Sequence, residues 1–201
     1  MIYFGGCSIT EGEGFSNKKQ DLRIYPNLIS TDTINDAEGG SSNLKIFLKA
    51  AKAIIDGLAD HYVIQWSAVH RHWIYPTPDS GIYLADTGNK HAKWYQQRNH
   101  DYGNILQLID FTRILQSYNV SIVFLNGLVD WSNDPEWMKE LVADANSGHD
   151  DFVKNLQNNI ELVNWDLWVD PWNSIYSTKL DVAEDNLHPG PQTHKHIADQ
   201  I

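Results

Sequence analysis

Two spacings of apolar residues recur along the chain, and their order predicts the architecture. Met1-Ile2-Tyr3-Phe4 is a short apolar run that stops at Gly5-Gly6-Cys7-Ser8, the pattern of a buried strand entering a tight turn. From Ser42 onward Leu44, Phe47, Leu48, Ala51, Ile54, Ile55 and Leu58 recur at steps of three and four, which predicts an amphipathic helix capped by Ser42 or Asn43. Tyr62-Val63-Ile64-Gln65-Trp66 and Ser121-Ile122-Val123-Phe124-Leu125 read as two further buried strands, with Tyr102, Ile105, Leu106, Ile109 and Thr112 marking a helix behind Asp101 between them. Asp134-Pro135 predicts the start of a third helix carrying Trp137, Met138, Leu141 and Val142, and Phe152, Val153, Leu156 and Ile160 suggest a fourth. Trp168-Val169 is a short strand, and Pro191 opens a last helix with His196, Ile197 and Ile201.

Strands alternating with helices imply right-handed crossovers and a mostly parallel sheet covered on both faces, an α/β domain. Residues 74 to 100 break the rhythm with early prolines and a glycine, scattered aromatics and no sustained period. That stretch reads as a loop insertion following a strand end, where open α/β sheets place their ligands, and it is either a lid or an insertion without a role.

Composition narrows the function. A chain of 201 residues buries about 70% of its unfolded surface, enough for one core, so residues 1–201 read as a single domain. The net charge of −11 repels phosphate backbones and anionic lipid, which argues against nucleic-acid and membrane partners. No apolar run reaches the ~18–20 residues that cross a bilayer, and the N-terminus lacks the pattern of a secretory signal, so the expected location is cytoplasmic. Cys7 is the one cysteine, which excludes an internal disulfide and a cysteine-based zinc cage.

The candidate chemistry sits at the two ends of the chain. Ser8 follows the first strand at a glycine-lined turn that can hold its hydroxyl above the sheet. Near the other end stands Asp185-Asn186-Leu187-His188-Pro189-Gly190. An aspartate three residues before a histidine can fix the imidazole's tautomer and leave the other ring nitrogen to take a proton from a serine.

With the spacing of Asn35, Ala37, Gly40, Ser42 and Asn43, these segments make the chain resemble the SGNH (GDSL-type) hydrolase family. The first block is similar to the Gly-Cys-Ser-[Ile/Phe]-Thr start of small members encoded by bacteriophages and their hosts. The resemblance implies a three-layer α/β/α sandwich with a flavodoxin-like parallel sheet, and hydrolysis of acyl esters without metal or organic cofactor. It assigns Ser8 as nucleophile, His188 as general base and Asp185 as its orienting partner, with the amides of Ser8 and Gly40 in the oxyanion hole. Two positions depart from the pattern: Cys7 replaces the acid before the nucleophile, and Gln65-Trp66-Ser67 stands where the family shows Gly-x-Asn. There Gln65 matches the glycine, and Ser67, with a shorter and freer donor, matches the oxyanion-binding asparagine.

Other residues carry competing readings. Cys7 is a stronger intrinsic nucleophile but should point to the opposite side of the turn from Ser8. His70-Arg71-His72 and His194-Lys195-His196 have alternate histidines, which serve as metal ligands or, more commonly, as exposed loop residues. Arg71 is a candidate for an anionic substrate group or for an ion pair bracing the loop. Gly12-Glu13-Gly14 faintly resembles a phosphate cradle, but Glu11 and Glu13 would repel the phosphate. Asn43 and Trp66 are further substrate-binding candidates. Trp66, Trp73, Trp94, Trp131, Tyr75, Tyr83 and Tyr95 suggest an aromatic rim suited to sugar rings or an acyl group, which points to O-acylated carbohydrate. The alternatives are an acyltransferase using the same site and a non-catalytic carbohydrate-binding module on a degenerate version of the fold.

Overall fold

The computed structural model describes residues 1–68, 98–127, 158–170 and 173–201. Its strands are β1 (Ile2–Gly5), β2 (Thr33–Asn35), β3 (His61–Trp66), β4 (Ser121–Asn126) and β5 (Trp168–Val169). They form one sheet in the order β2-β1-β3-β4-β5, and every neighbouring pair is parallel. The helices are α1 (Ser8–Glu11), α2 (Tyr25–Ile29), α3 (Asn43–Ile55), α4 (Arg98–Ser117) and α5 (Pro191–Ala198).

Alternate strand residues sort to opposite faces, as the pleat requires. Tyr3, Tyr62, Ile64, Ile122 and Phe124 pack with Ile46, Ala50 and Ala53 of α3 and with Ile105, Leu108 and Ile109 of α4. Phe4, Val63 and Leu125 point the other way, toward Tyr25 of α2 and Ile197 of α5. The result is the expected three-layer α/β/α sandwich, and the strand order is the flavodoxin-like one. From β1 the chain moves outward to β2 and then returns past β1 to β3. Connections leaving β1 and β3 therefore diverge, and the crevice beyond their C-terminal ends is where such sheets bind ligands.

Several local expectations shift. Ser42 caps α3, its hydroxyl accepting the Lys45 amide at 3.3 Å. The buried face of α3, however, is Asn43, Ile46, Ala50, Ala53 and Ile54, while Leu48, Ile55 and Leu58 are exposed. The two alanines bring the helix close to the sheet, and the predicted stripe is wider than that contact. Phe47, at its margin, stacks on Phe111 of α4 with ring centroids 4.3 Å apart. Asp101 lies inside α4 and not at its cap. The elements β2 and α2 were not predicted, since a three-residue strand and a five-residue helix are too short to show a period. The loop at 74–100 lies outside the described residues up to residue 97, as do the helix expected from Asp134 and most of the one around Phe152. Among the described residues, no helix is long and apolar enough to cross a membrane.

Candidate active site

The chain leaves β1 through Gly6 and Cys7 and enters α1 at Ser8. Gly12 closes this single turn in the left-handed conformation (φ +81°), its amide donating to the carbonyl of Ile9. Ser8 is 4% exposed, and the contact of its hydroxyl is the sulfur of Cys7 at 3.9 Å. Cys7 itself is fully buried, with Sγ receiving the Gln65 amide at 3.1 Å, so the thiol is closed to a substrate. Asn35 at the end of β2 braces the turn from the side, its Nδ2 donating to the Thr10 carbonyl at 2.8 Å.

The segment 38–43 lies against this turn. Glu38 donates its amide to the Gly6 carbonyl at 3.2 Å, and Gly39 donates to Oε2 of Glu11 at 2.7 Å. Gly40 follows with φ +74°, a conformation that favours glycine. The amides of Ser8 and Gly40 find no acceptor among the described residues. Ser67, just past β3, is fully buried, and its hydroxyl likewise has no partner among the described residues.

Two substrate-binding expectations are corrected here. Asn43 spends its amide on the backbone of the β3 end: Oδ1 accepts the Ser67 amide at 2.7 Å and Nδ2 donates to the Ser67 carbonyl at 3.1 Å. It clamps Ser67 and is itself buried, so it supports the site from behind. Trp66 is fully buried and stacks on Phe124, because its place on the pleat points it into the α3–α4 layer. It belongs to the core and not to a rim. Arg71, with His70 and His72, and the tryptophans and tyrosines at 73, 75, 83, 94, 95 and 131 lie outside the described residues.

The aspartate and histidine come together on a self-contained loop. An antiparallel bridge between Val182 and Pro189 closes it, with Ala183 donating to the His188 carbonyl at 2.8 Å and Gly190 to the Asp181 carbonyl at 3.0 Å. Inside, Oδ1 of Asp185 accepts the amides of Leu187 and His188 at 2.9 and 3.0 Å, and Oδ2 pairs with Nδ1 of His188 at 2.6 Å. Partial burial alone would raise the pKa of Asp185, but the His188 ring and the two amides outweigh it and hold the carboxyl down at about 2. An ionised carboxylate only accepts, so in neutral His188 the proton sits on Nδ1 and the Nε2 lone pair is left for a proton to be taken up.

The serine and histidine halves meet at Glu13 and Gly14. Glu184 donates its amide to the Gly14 carbonyl at 3.1 Å, and a side chain at Gly14 would collide with Ala183 and Asp185. Glu13 donates its amide to the Ser8 carbonyl at 2.8 Å, while its carboxylate lies 3.8 Å from Nε2 of His188. No hydrogen bond joins the Ser8 hydroxyl to His188 in this structure; the group that faces Nε2 is the carboxylate of Glu13.

Sequence reasoning missed what supports the site. Asp181 accepts the amides of Gln192 and Thr193 at 2.9 and 3.0 Å and so ties the start of α5 to the His188 loop. His194 is not an exposed loop residue: it is buried in α5 between Phe15 and Tyr25, and its Nδ1 accepts the Tyr25 amide at 3.2 Å. His196 instead meets Gln200 at 2.7 Å on the exposed side of the helix, so this pair does not converge on a metal. Among the described residues no cluster of His, Cys, Asp or Glu could hold one. The clue to Asp181 is its place ten residues before Pro191 at a helix start, a weak one.

No family model matches the sequence, and no curated protein matches it. Among solved structures, the psychrotrophic esterase EstA from Pseudoalteromonas sp. is similar over 99% of this chain and 92% of its own, at 13% identity and a TM-score of 0.48. A catalytic mutant of an acetylxylan esterase from Geobacillus stearothermophilus is similar over 99% and 90%, at 14% identity and 0.47. The family 3 carbohydrate esterase of Clostridium thermocellum is similar over 98% and 90%, at 15% identity and 0.46. These neighbours are esterases, while the fold of this chain is established by its own strand order: a flavodoxin-like α/β/α sandwich.

Proposed function

We propose that this chain is a serine esterase or O-deacylase of the SGNH type, working through an acyl-enzyme on Ser8. The observation that carries the reading is the Asp185–His188 pair, built on a loop that packs against the turn presenting a serine at the sheet's switch point. In the reaction, Ser8 Oγ attacks the ester carbonyl as its proton passes to Nε2 of His188, and Asp185 stabilises the imidazolium through Nδ1. The tetrahedral oxyanion is met by the amides of Ser8 and Gly40 and by the hydroxyl of Ser67, donors left without a partner among the described residues. His188 then protonates the leaving alcohol, and water repeats the cycle to release the acid. To begin, the Ser8 hydroxyl turns from Cys7 toward His188 and the Glu13 carboxylate yields its place.

Every group this chemistry needs is an amino-acid side chain or amide, so no cofactor is invoked. O-acetylated carbohydrate is the first substrate class to assay, in keeping with the acetylxylan and carbohydrate esterases among the similar structures. With an alcohol in place of water the same site is an acyltransferase. Intact-mass analysis with a fluorophosphonate tests the reading without knowledge of the substrate: the wild type gains one adduct and Ser8→Ala gains none. A folded wild type that takes up no adduct sinks the esterase and favours a binding module, for which glycan binding is the next assay.

A further inference from the structure

Gln65 occupies the position that the family resemblance assigns to glycine, and it is fully buried beneath the serine turn. Its side-chain oxygen accepts both the amide and the hydroxyl of Thr10, at 3.2 and 2.6 Å. Its nitrogen donates to Cys7 Sγ at 3.1 Å and to the Trp66 carbonyl at 3.0 Å. The partners fix the amide's orientation, because the Thr10 amide can only donate and the Trp66 carbonyl can only accept. Thr10 gives its single hydroxyl proton to Gln65, so the contact with Tyr25 at 2.7 Å must have the phenol as donor. Burial pushes the Tyr25 phenol well above its ordinary value and keeps that proton in place.

This amide therefore grips the residue before Ser8 and the residue two after it. Its room comes from two glycines: a side chain at Gly127 would overlap Gln65 Nε2 and crowd the Trp66 carbonyl, and one at Gly6 would overlap the Thr10 hydroxyl. A cluster this fully satisfied, 55 residues apart in sequence, is stiff because each member would be left buried and unpaired if the turn moved.

We infer that Gln65 is a positioning residue for the nucleophile, holding Ser8 at its attack position through Cys7 and Thr10. The inference rests on the esterase reading for its catalytic meaning, though its geometric content stands apart from it. A misplacement of about 1 Å costs on the order of a hundredfold in rate.

The test compares Gln65→Met, which keeps the length and removes the hydrogen bonds, with Gln65→Glu, whose buried, protonated carboxyl retains an acceptor for Thr10 and a donor for Cys7. The readouts are the rate of fluorophosphonate labelling at Ser8, the KM and kcat for a short acyl ester, and the crystal structure of each variant. Gln65→Met is expected to label about a hundredfold more slowly, to lose kcat with little change in KM, and to show Ser8 displaced, while Gln65→Glu recovers most of the rate. Labelling at the wild-type rate with Ser8 in place overturns the inference and leaves the esterase reading intact. If the wild type itself is not labelled, the esterase reading fails. The crystal structures then decide the positioning claim alone, a superimposable turn in Gln65→Met overturning it and a displaced one upholding it. Should Gln65→Met not fold, Thr10→Val loosens the same grip from the other side and is judged by the same criteria.

Discussion

The turn that carries Ser8 and the loop that carries His188 meet at Glu13 and Gly14, yet they are held by opposite means. The serine turn is sealed in the protein and pinned from a distance, by Gln65 on β3, Asn35 on β2 and Tyr25 on α2. The histidine loop is partly exposed and pinned mostly by itself, through the Asp185 carboxylate, the Val182–Pro189 bridge and the nearby Asp181. The contrast suits their tasks. On the esterase reading, a nucleophile whose approach angle matters gains from a rigid non-local cage, whereas a base that receives and returns a proton needs its partner carboxylate close, and its far nitrogen, which Glu13 faces at 3.8 Å, has to be cleared before it acts.

The strongest way to break the comparison is Asp185→Asn. Asparagine keeps an oxygen for the Leu187 and His188 amides but turns an N–H toward Nδ1, which drives the ring proton onto Nε2. Labelling of Ser8 should fall by about ten-thousandfold with the fold unchanged. A fall of less than tenfold in the labelling assay would reduce the pair to a structural brace.

A second test sharpens how the histidine loop is tied to the body. Burial holds the His194 imidazole down to about 4, against the pull of Asp181 and Asp21 and the facing Pro189 carbonyl. As pH falls below 6.5 the unfolded chain takes up a proton that the folded imidazole refuses until about 4, so acid favours unfolding across that window. Both carboxylates facing the ring have lowered values and stay charged there. Urea unfolding should therefore show stability dropping by about 3 kcal/mol between pH 7 and 4. In His194→Asn, whose oxygen can still accept the Tyr25 amide, that part of the pH dependence should disappear, and an unchanged slope would place its source elsewhere.

The smallest expected effect concerns the contact between the two regions. The Glu13 carboxylate near His188 is 40% exposed, and a contact so exposed contributes roughly 0.2–1 kcal/mol, and that only while the imidazole carries its proton. Glu13→Gln should change the labelling rate by less than about fivefold. A larger gain in rate would mean that Glu13 restrains the base more firmly than its exposure suggests.

What could be read in advance follows the same division. The histidine loop was legible because its recognition is local: Asp185 and His188 are three residues apart, and Pro189-Gly190 marks the end of the turn. The serine was legible for a similar reason, at the glycines after an apolar run. Gln65 was not, since its partners Cys7 and Thr10 are remote in sequence and a lone buried glutamine inside an apolar strand looks like an irregularity. Trp66 misled because an aromatic at a strand end fits a ligand rim as well as a core, and only the direction of the pleat decides. Asn43 misled in the same manner, its amide being consumed by the Ser67 backbone.

The sequence by itself determined the alternation of strands and helices, hence a parallel sheet with two covered faces, and the local spacing that pairs a carboxylate with an imidazole at Asp185 and His188. Periodicity and short turns depend on neighbours a few residues away, so they are written locally. Tertiary structure alone decided which strand lies beside which, and so that the serine turn stands at the β1–β3 switch point with Ser67 beside it. It also decided that His194 is a buried strut, that Cys7 is shut away, and that Gln65 reaches under the Ser8 turn. Each of these depends on what fills the space around a side chain, and that space is enclosed only when distant segments pack together.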